Sequence, residues 1–341
     1  MKVMVTGHMG YVGAVLVPML LERGHYVAGM DSGLFRDCAF GAQTPPSRDL
    51  RVDIRNASAE DLAGFDAVIH LAALSNDPLG EIDPHLTHEI NTVATEDLAR
   101  AAKAAGASRF LFSSSCSSYG ASGDAWLTEE ASLNPLTPYA VSKVKGEKAL
   151  DALASDTFSP VYLRSGTAYG LSPMMRCDLV ANNLTAYAVA QGQILLKSDG
   201  SAWRPLVHVE DMAQAFICAL EAPRDHVHRE VFNVGRNSDC MQIRDLAEII
   251  GNVVPDATVE FTKGHTADAR TYRVDCTKIK TLGYAPKREV GEAVAEMAAA
   301  FRKAEITEEE FEGPRYVRLA ALRKQRAAGR LDANLRESVT A

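Results

Sequence analysis

Three glycines at even intervals, Gly7-His-Met-Gly10-Tyr-Val-Gly13, follow directly on the apolar run Lys2-Val-Met-Val-Thr6. A buried strand that turns through glycines into a helix lets backbone approach a ligand closely and packs helix tightly on strand. The helix N-terminus then offers free N–H groups and a positive dipole end to an anion such as a diphosphate. The spacing differs from Gly-x-Gly-x-x-Gly, and a plain tight turn could use the same glycines. Asp31 narrows the choice, because it closes the next apolar run, 26–30, 18 residues after Gly13. A carboxylate there can accept from ribose hydroxyls and would repel a 2′-phosphate, which favours NAD over NADP. Capping of a turn is the other use of such an aspartate.

The pattern that starts with this turn continues. Short apolar runs at 2–6, 26–30, 49–53, 67–71, 109–113 and 160–164 alternate with helical periodicity at 11–23, 58–63, 88–105 and 138–154. Such alternation predicts an α/β fold, a doubly wound parallel sheet of Rossmann type with helices on both faces. After 165 the rhythm changes to a helix near 178–191, a short strand 193–197 and a mixture that reads as a smaller C-terminal lobe. The expected division is 1–165, with some later segments returning to it, then a substrate-binding lobe 166–300 and an extension 301–341, helical around 314–328.

Composition excludes some classes. The 341 residues carry a net charge of −8, the wrong sign for a nucleic-acid-binding face. Long apolar runs are missing, so no membrane span is expected. The opening residues enter a strand at once and leave no room for a signal peptide, so a cytoplasmic protein is expected. Six cysteines without a Cys-x-x-Cys pair read as reduced and mostly core. No metal-site spacing occurs, and His85 and His88 near Asp83 read as a solvated loop.

Tyr139-Ala-Val-Ser-Lys143 sets a phenol and an ammonium four residues apart, on one face of a helix. A free tyrosine titrates near about 10. A neighbouring Lys⁺ and the positive nicotinamide ring of NAD⁺ would lower that value and yield a general base for a sugar hydroxyl.

With these features in order, the sequence resembles the extended short-chain dehydrogenase/reductase family, specifically its NAD-dependent nucleotide-sugar epimerases and dehydratases, over roughly residues 1–300. The landmarks are Gly7/Gly10/Gly13, Asp31, Asp53-Ile54, His70-Leu-Ala-Ala73, Asn91, the cluster Phe112-Ser-Ser-Ser-Cys-Ser-Ser-Tyr-Gly120, Tyr139/Lys143 and Arg164-Ser-Gly-Thr-Ala-Tyr-Gly170. Asn182-Asn-Leu184, Trp203-Arg-Pro-Leu-Val-His-Val-Glu-Asp211 and Phe232-Asn-Val-Gly235 follow. The resemblance implies that the glycines, Met9, Tyr11, Val12, Asp31 and Ser32 hold the dinucleotide, with Asp53 and Ile54 at the adenine. It implies that Leu71, Ala72, Ala73 and Ser113 line the cofactor and that Asn91 supports Lys143 and the cofactor. A nucleotide-diphosphate sugar would meet Ser75, Ser117, Thr167, Asn183, the backbone of Leu184, Arg204 and Arg270, the arginines forking onto phosphate oxygens.

Aligned on Tyr119-Gly120, the family's catalytic hydroxyl falls at Ser115, beside Tyr139; Ser114 and Ser113 end the strand. The family's 4,6-dehydratases carry Asp-Glu directly after that hydroxyl, where this chain has Cys116-Ser117. Its 3,5-epimerising members place a Cys at the Ser117 position, so Cys116 reads as a packed small residue. What remains suits hydride chemistry at C4, and hence a 4-epimerase in which Tyr139 takes the proton at C4. A 4-ketoreductase or dehydratase is the alternative, because Thr167 replaces a family Asn, Ser165-Gly166 are small, and the loop 171–177 lies where relatives keep additional acid/base residues. A non-catalytic dinucleotide sensor is the third reading, though it would not need Ser115, Tyr139 and Lys143 together. A homodimer through the helices 88–105 and 138–154 is implied as well.

Overall fold

A computed structural model describes residues 1–196, 198–261 and 271–338. The chain opens with β1 (Lys2–Thr6), α1 (Gly13–Glu22), β2 (Tyr26–Met30), β3 (Arg48–Leu50) and β4 (Ala67–His70). Then come α2 (Ala94–Ala104), β5 (Arg109–Ser115), β6 (Ala121–Leu127), α3 (Pro138–Asp151), β7 (Ser159–Ser165) and β8 (Thr167–Tyr169). The second half holds α4 (Val180–Gln191), β9 (Gln193–Leu196), β10 (Trp203–His208), α5 (Val209–Glu221), β11 (Val231–Val234), β12 (Cys240–Gln242) and α6 (Ile243–Val253). β13 (Thr258–Phe261), β14 (Thr271–Val274), α7 (Val290–Lys303) and α8 (Arg318–Ala327) complete it.

Seven strands form one sheet in the order β11-β7-β5-β4-β1-β2-β3, every neighbouring pair parallel. Its central strands are buried on both faces, which is why they read as unbroken apolar runs. The order reverses between β1 and β4, and a crevice opens there at the strands' C-terminal ends. β11, from the second half of the chain, closes the β7 edge. The other described strands form small sheets, β12-β10-β8, β13-β9 and β14-β6.

Three elements differ from the sequence reading. The stretch 58–63 is turn rather than helix: Asp61 accepts from the N–H and hydroxyl of Ser58, and Gly64 at φ +79° ends it after six residues. So short a segment cannot repay helix nucleation. β3 stops at Leu50 because Asp53 caps a 3₁₀ turn, Ile54–Asn56, instead of extending the strand. The helix expected from 88 begins earlier, at Pro84, under the Asp83 side chain, which accepts from the N–H groups of His85 and Leu86. It passes through a π turn, Glu89–Val93, before α2, and that turn carries the buried Asn91 inward. All six cysteines are free thiols. Among the described residues no helix is long and apolar enough to cross a membrane.

Candidate active site

The glycine turn builds one end of the crevice. Gly7 sits at φ +74°, and a Cβ there would lie 2.7 Å from the Ala72 nitrogen. A Cβ on Gly13 would meet the Gly7 carbonyl oxygen at 2.4 Å. Neither can be anything but glycine while α1 packs this closely on β1. No side chain caps the first turn of α1, and the residues at its start border a cavity of about 540 Å³. Gly7, Gly10, Tyr11, Val12 and Gly13 line it, with Asp31 and Ser32 beside them. Met9 lies behind: its N–H donates to Asp31 Oδ2 at 3.2 Å, and Gly33 N–H donates to Oδ1 at 2.8 Å. Burial raises the Asp31 pKa, with these two N–H groups opposing it. A backbone cradle that Cβ atoms would fill, an uncapped helix start and a held carboxylate together fit a dinucleotide.

Further along the same cavity stand Asp53 and Ile54, then Leu71, Ala72, Ala73, Ser75 and Ser113. The Asp53 carboxylate accepts from Arg55 Nη2 at 2.6 Å; burial opposes its charge, but Arg55 holds the pKa below the usual value. Asn91 lies outside the cavity wall as a buried brace. Its Oδ1 accepts from Leu74 N–H at 2.8 Å, and its Nδ2 donates to the Leu74 carbonyl and to Ser142 Oγ. It thus fixes the strand-end loop and the residue next to Lys143.

Ser115 ends β5 and Tyr139 opens the first turn of α3; both line the cavity. The turn after Ser115 is held by Ser115 Oγ, which accepts from Ser117 N–H at 3.2 Å and from Ser117 Oγ at 2.9 Å. Thr137 caps α3, accepting from Ala140 N–H, so the helix start and its tyrosine are set rigidly. Burial raises the Tyr139 pKa; a hydrogen bond with Ser115 and the Arg176 charge pull it down. The lowering expected from Lys143 is not found. Lys143 is buried behind the tyrosine, its Nζ over the rings of Phe112 (4.8 Å) and Tyr139 (5.6 Å). Burial pushes its pKa down to about 7 while Glu147 opposes, so half its charge is lost near neutrality. Cys116 is buried, points its thiol at the Arg164 carbonyl at 3.1 Å, and has a pKa raised by burial.

The remaining predicted positions divide. Ser117, Thr167 and Arg204 line the cavity. Asn183 does not: its Nδ2 donates to the Cys177 carbonyl and to Glu312. Leu184, whose backbone was expected at the substrate, does not line the cavity, and its side chain belongs to the core under α4. In their place the preceding turn contributes Asp178, Leu179 and Val180. Arg270 lies outside the described residues. The sequence singles out the loop 171–177 without assigning a role to Arg176, which is buried, pairs with Asp178 at 2.8 Å and donates to Ser75 Oγ at 3.0 Å. The Asp178 carboxylate also accepts from Asn76 Nδ2 and Arg318 N–H; burial opposes its ionisation, but Arg176 keeps the pKa low. An Arg-x-Asp in an irregular loop carries no periodic signal. Arg318 and Leu335, from the far end of the chain, also line the cavity.

A glycine-turned dinucleotide crevice with Ser115 and Tyr139 on its wall and Lys143 buried behind the tyrosine is the arrangement of a nicotinamide-dependent enzyme of the tyrosine–lysine type. Comparison with known proteins agrees. Residues 3–235 match the model of the NAD dependent epimerase/dehydratase family, and the chain belongs to that family. A UDP-glucose 4-epimerase of Mycolicibacterium smegmatis is 30% identical over 89% of this chain and 99% of its own length. UDP-glucuronic acid decarboxylase 1 of Arabidopsis thaliana is 26% identical over 92% of this chain and 72% of its own. A solved structure of MoeE5 in complex with UDP-glucose and NAD superposes with a TM-score of 0.77, at 25% identity, over 90% of this chain and 100% of that one.

Proposed function

We propose that this enzyme is an NAD-dependent nucleotide-sugar epimerase that inverts C4 of the sugar through transient oxidation. The observation that carries this reading is the turn after Ser115. The two positions that hold acid and base in dehydratases hold a thiol turned into the core and a hydroxyl spent on Ser115. Asp178, the carboxylate paired with Arg176, is kept ionised and cannot serve as a general acid near neutrality.

NAD held in this crevice would supply a reversible hydride acceptor for C4. The chain's own residues handle the proton and the geometry. Ser115 hydrogen-bonds the substrate oxygen at C4, and Tyr139 Oη takes the hydroxyl proton and gives it back after the ring has turned. Lys143, which carries about half its charge near neutrality, when protonated stabilises Tyr139 as the phenolate that takes this proton. Asp31 takes the ribose hydroxyls and the uncapped start of α1 the diphosphate. Arg204 lies on the wall where a substrate phosphate would be gripped.

Relatives with UDP-glucose and UDP-glucuronic acid in their names favour a UDP-sugar. The test is incubation with UDP-, GDP-, dTDP- and CDP-sugars, followed by NMR of the sugar ring and absorbance of reduced cofactor. Interconversion of C4 epimers without net NADH change is expected. A stable 4-keto product or stoichiometric NADH consumption would instead select the dehydratase or ketoreductase reading. A cytoplasmic homodimer through α2 and α3 belongs to the same proposal, and sedimentation showing only monomer at micromolar concentration would remove the dimer.

A further inference from the structure

The segment after α7 returns to the cofactor crevice. α8 and the loop beyond it run along the crevice, reaching the loops after β2 and β3 and packing with leucines on the segment after β4. Gln325 Nε2 donates to the Leu34 carbonyl at 2.8 Å, and Arg330 pairs with Asp37 at 3.2 Å, both in the loop after β2. Arg336 donates to Asn56 Oδ1 at 3.1 Å, Arg51 pairs with Glu337, and Arg55 Nη1 donates to the Asn334 carbonyl at 2.8 Å. The segment thus bridges the two loops that border Asp31 and Asp53.

Its tip is built to hold one side chain. Leu331 and Glu337 form an antiparallel bridge, and Asp332 Oδ1 accepts from Asn334 and Arg336 N–H, both at 2.8 Å. Between them Leu335 takes φ +57°, a left-handed conformation unfavourable to a leucine. It is 4% exposed, clusters with Leu74, Leu79 and Leu331, and lines the cavity. Arg318, at the start of α8, stacks over Phe35 at 5.3 Å and also lines it.

We propose that residues 318–338 are part of the cofactor site: a wall, with Leu335 at its tip, that packs against the adenosine end of bound NAD and slows its release. This rests on the NAD-dependent reading above, in which the Asp31 side of the crevice takes the adenosine ribose. An epimerase must keep the reduced cofactor until the hydride returns, so slow release serves the reaction.

The experiment uses the full chain loaded with radiolabelled NAD and chased with unlabelled NAD, with retained label counted after rapid filtration. The Leu331→Asp/Leu335→Asp variant is expected to release label about tenfold faster, equivalent to about 1.4 kcal/mol. Hydrogen exchange read by mass spectrometry should show amides 329–338 deprotected while those of β1, β4 and β5 stay protected. A freed tail with an unchanged release rate would overturn the proposal, and a tail still protected would overturn the leucines as its seat. Gln325→Ala/Arg330→Ala, which puts no charge in the apolar cluster, should shift release in the same direction even if the leucine variant does not fold. Wild-type protein that retains no NAD at all would fail the cofactor reading itself, an outcome separate from the others.

Discussion

Glu147 of α3 and Arg164 of β7 form a bidentate ion pair inside the protein, with Arg164 Nε and Nη2 donating to the carboxylate at 2.9 and 2.6 Å. Glu147 is one helical turn beyond Lys143, which is one turn beyond Tyr139. Ser114 donates to the same carboxylate at 2.5 Å, and Arg164 also reaches the Tyr119 hydroxyl, so the serine cluster and α3 share one buried network. Removing one member leaves the other charge unpaired. Glu147→Ala should cost about 3–5 kcal/mol in urea unfolding, and Glu147→Leu/Arg164→Met should recover most of it. Equal stability of Glu147→Ala and wild type would show the pair to be idle.

Lys143 gives stability a pH dependence. Its folded pKa is about 7, against an ordinary value of 10.5. Between those values the unfolded chain binds a proton that the native state does not, so this residue's contribution rises with pH from about 7 to about 10.5 and is level below 7. Lys143→Met should therefore be more stable than wild type at pH 7, and the gap should narrow toward pH 10. A gap independent of pH in chemical denaturation would contradict this.

Tyr139→Phe keeps the ring under Lys143 but removes the proton acceptor. Turnover should fall by about 10²–10⁴-fold while bound NAD, measured in the denatured supernatant, is unchanged. Loss of NAD together with activity would mean that the phenol holds the cofactor rather than the proton.

Asp31→Ala should weaken NAD binding by about 10–100-fold, the range for losing hydrogen bonds to a charged group. NADP should lose far less, because the repelling carboxylate is gone. Titration calorimetry with both dinucleotides reads the ratio, and parallel losses would move the discrimination elsewhere.

Gly13→Ala places a methyl 2.4 Å from the Gly7 carbonyl oxygen, a backbone atom that cannot step aside. A stability loss of about 1–3 kcal/mol is expected, with weaker NAD binding as α1 is pushed off the cradle. An unaltered melting temperature would show that α1 can shift freely.

Much of this was legible in sequence because it is local. The glycine turn, Asp31 and the Tyr139–Lys143 pair are each set by neighbours within a turn or a strand, and apolar runs buried on both faces announce a parallel sheet. Ser115 could be placed from Tyr119-Gly120 because the cluster is one continuous turn. Failures came where spacing stops carrying information. Asn183 and Leu184 sit on a helix whose rotation sets which residues face the cavity, and Leu179 and Val180 took that place. The π turn at Glu89–Val93 follows no helical period, so the way Asn91 is carried inward could not be read.

The sequence by itself determined the chemistry available: a dinucleotide cradle, a tyrosine–lysine pair and no dehydratase acid/base pair after Ser115, all written in contiguous residues. Only the tertiary structure decided the electrical state of that chemistry and what encloses it. Burial, which depends on every packed neighbour, drives Lys143 toward neutrality and Tyr139 away from phenolate. Folding also carries Arg318 and Asn334 some 280 residues along the chain to Phe35 and Arg55, contacts with no local pattern to foretell them.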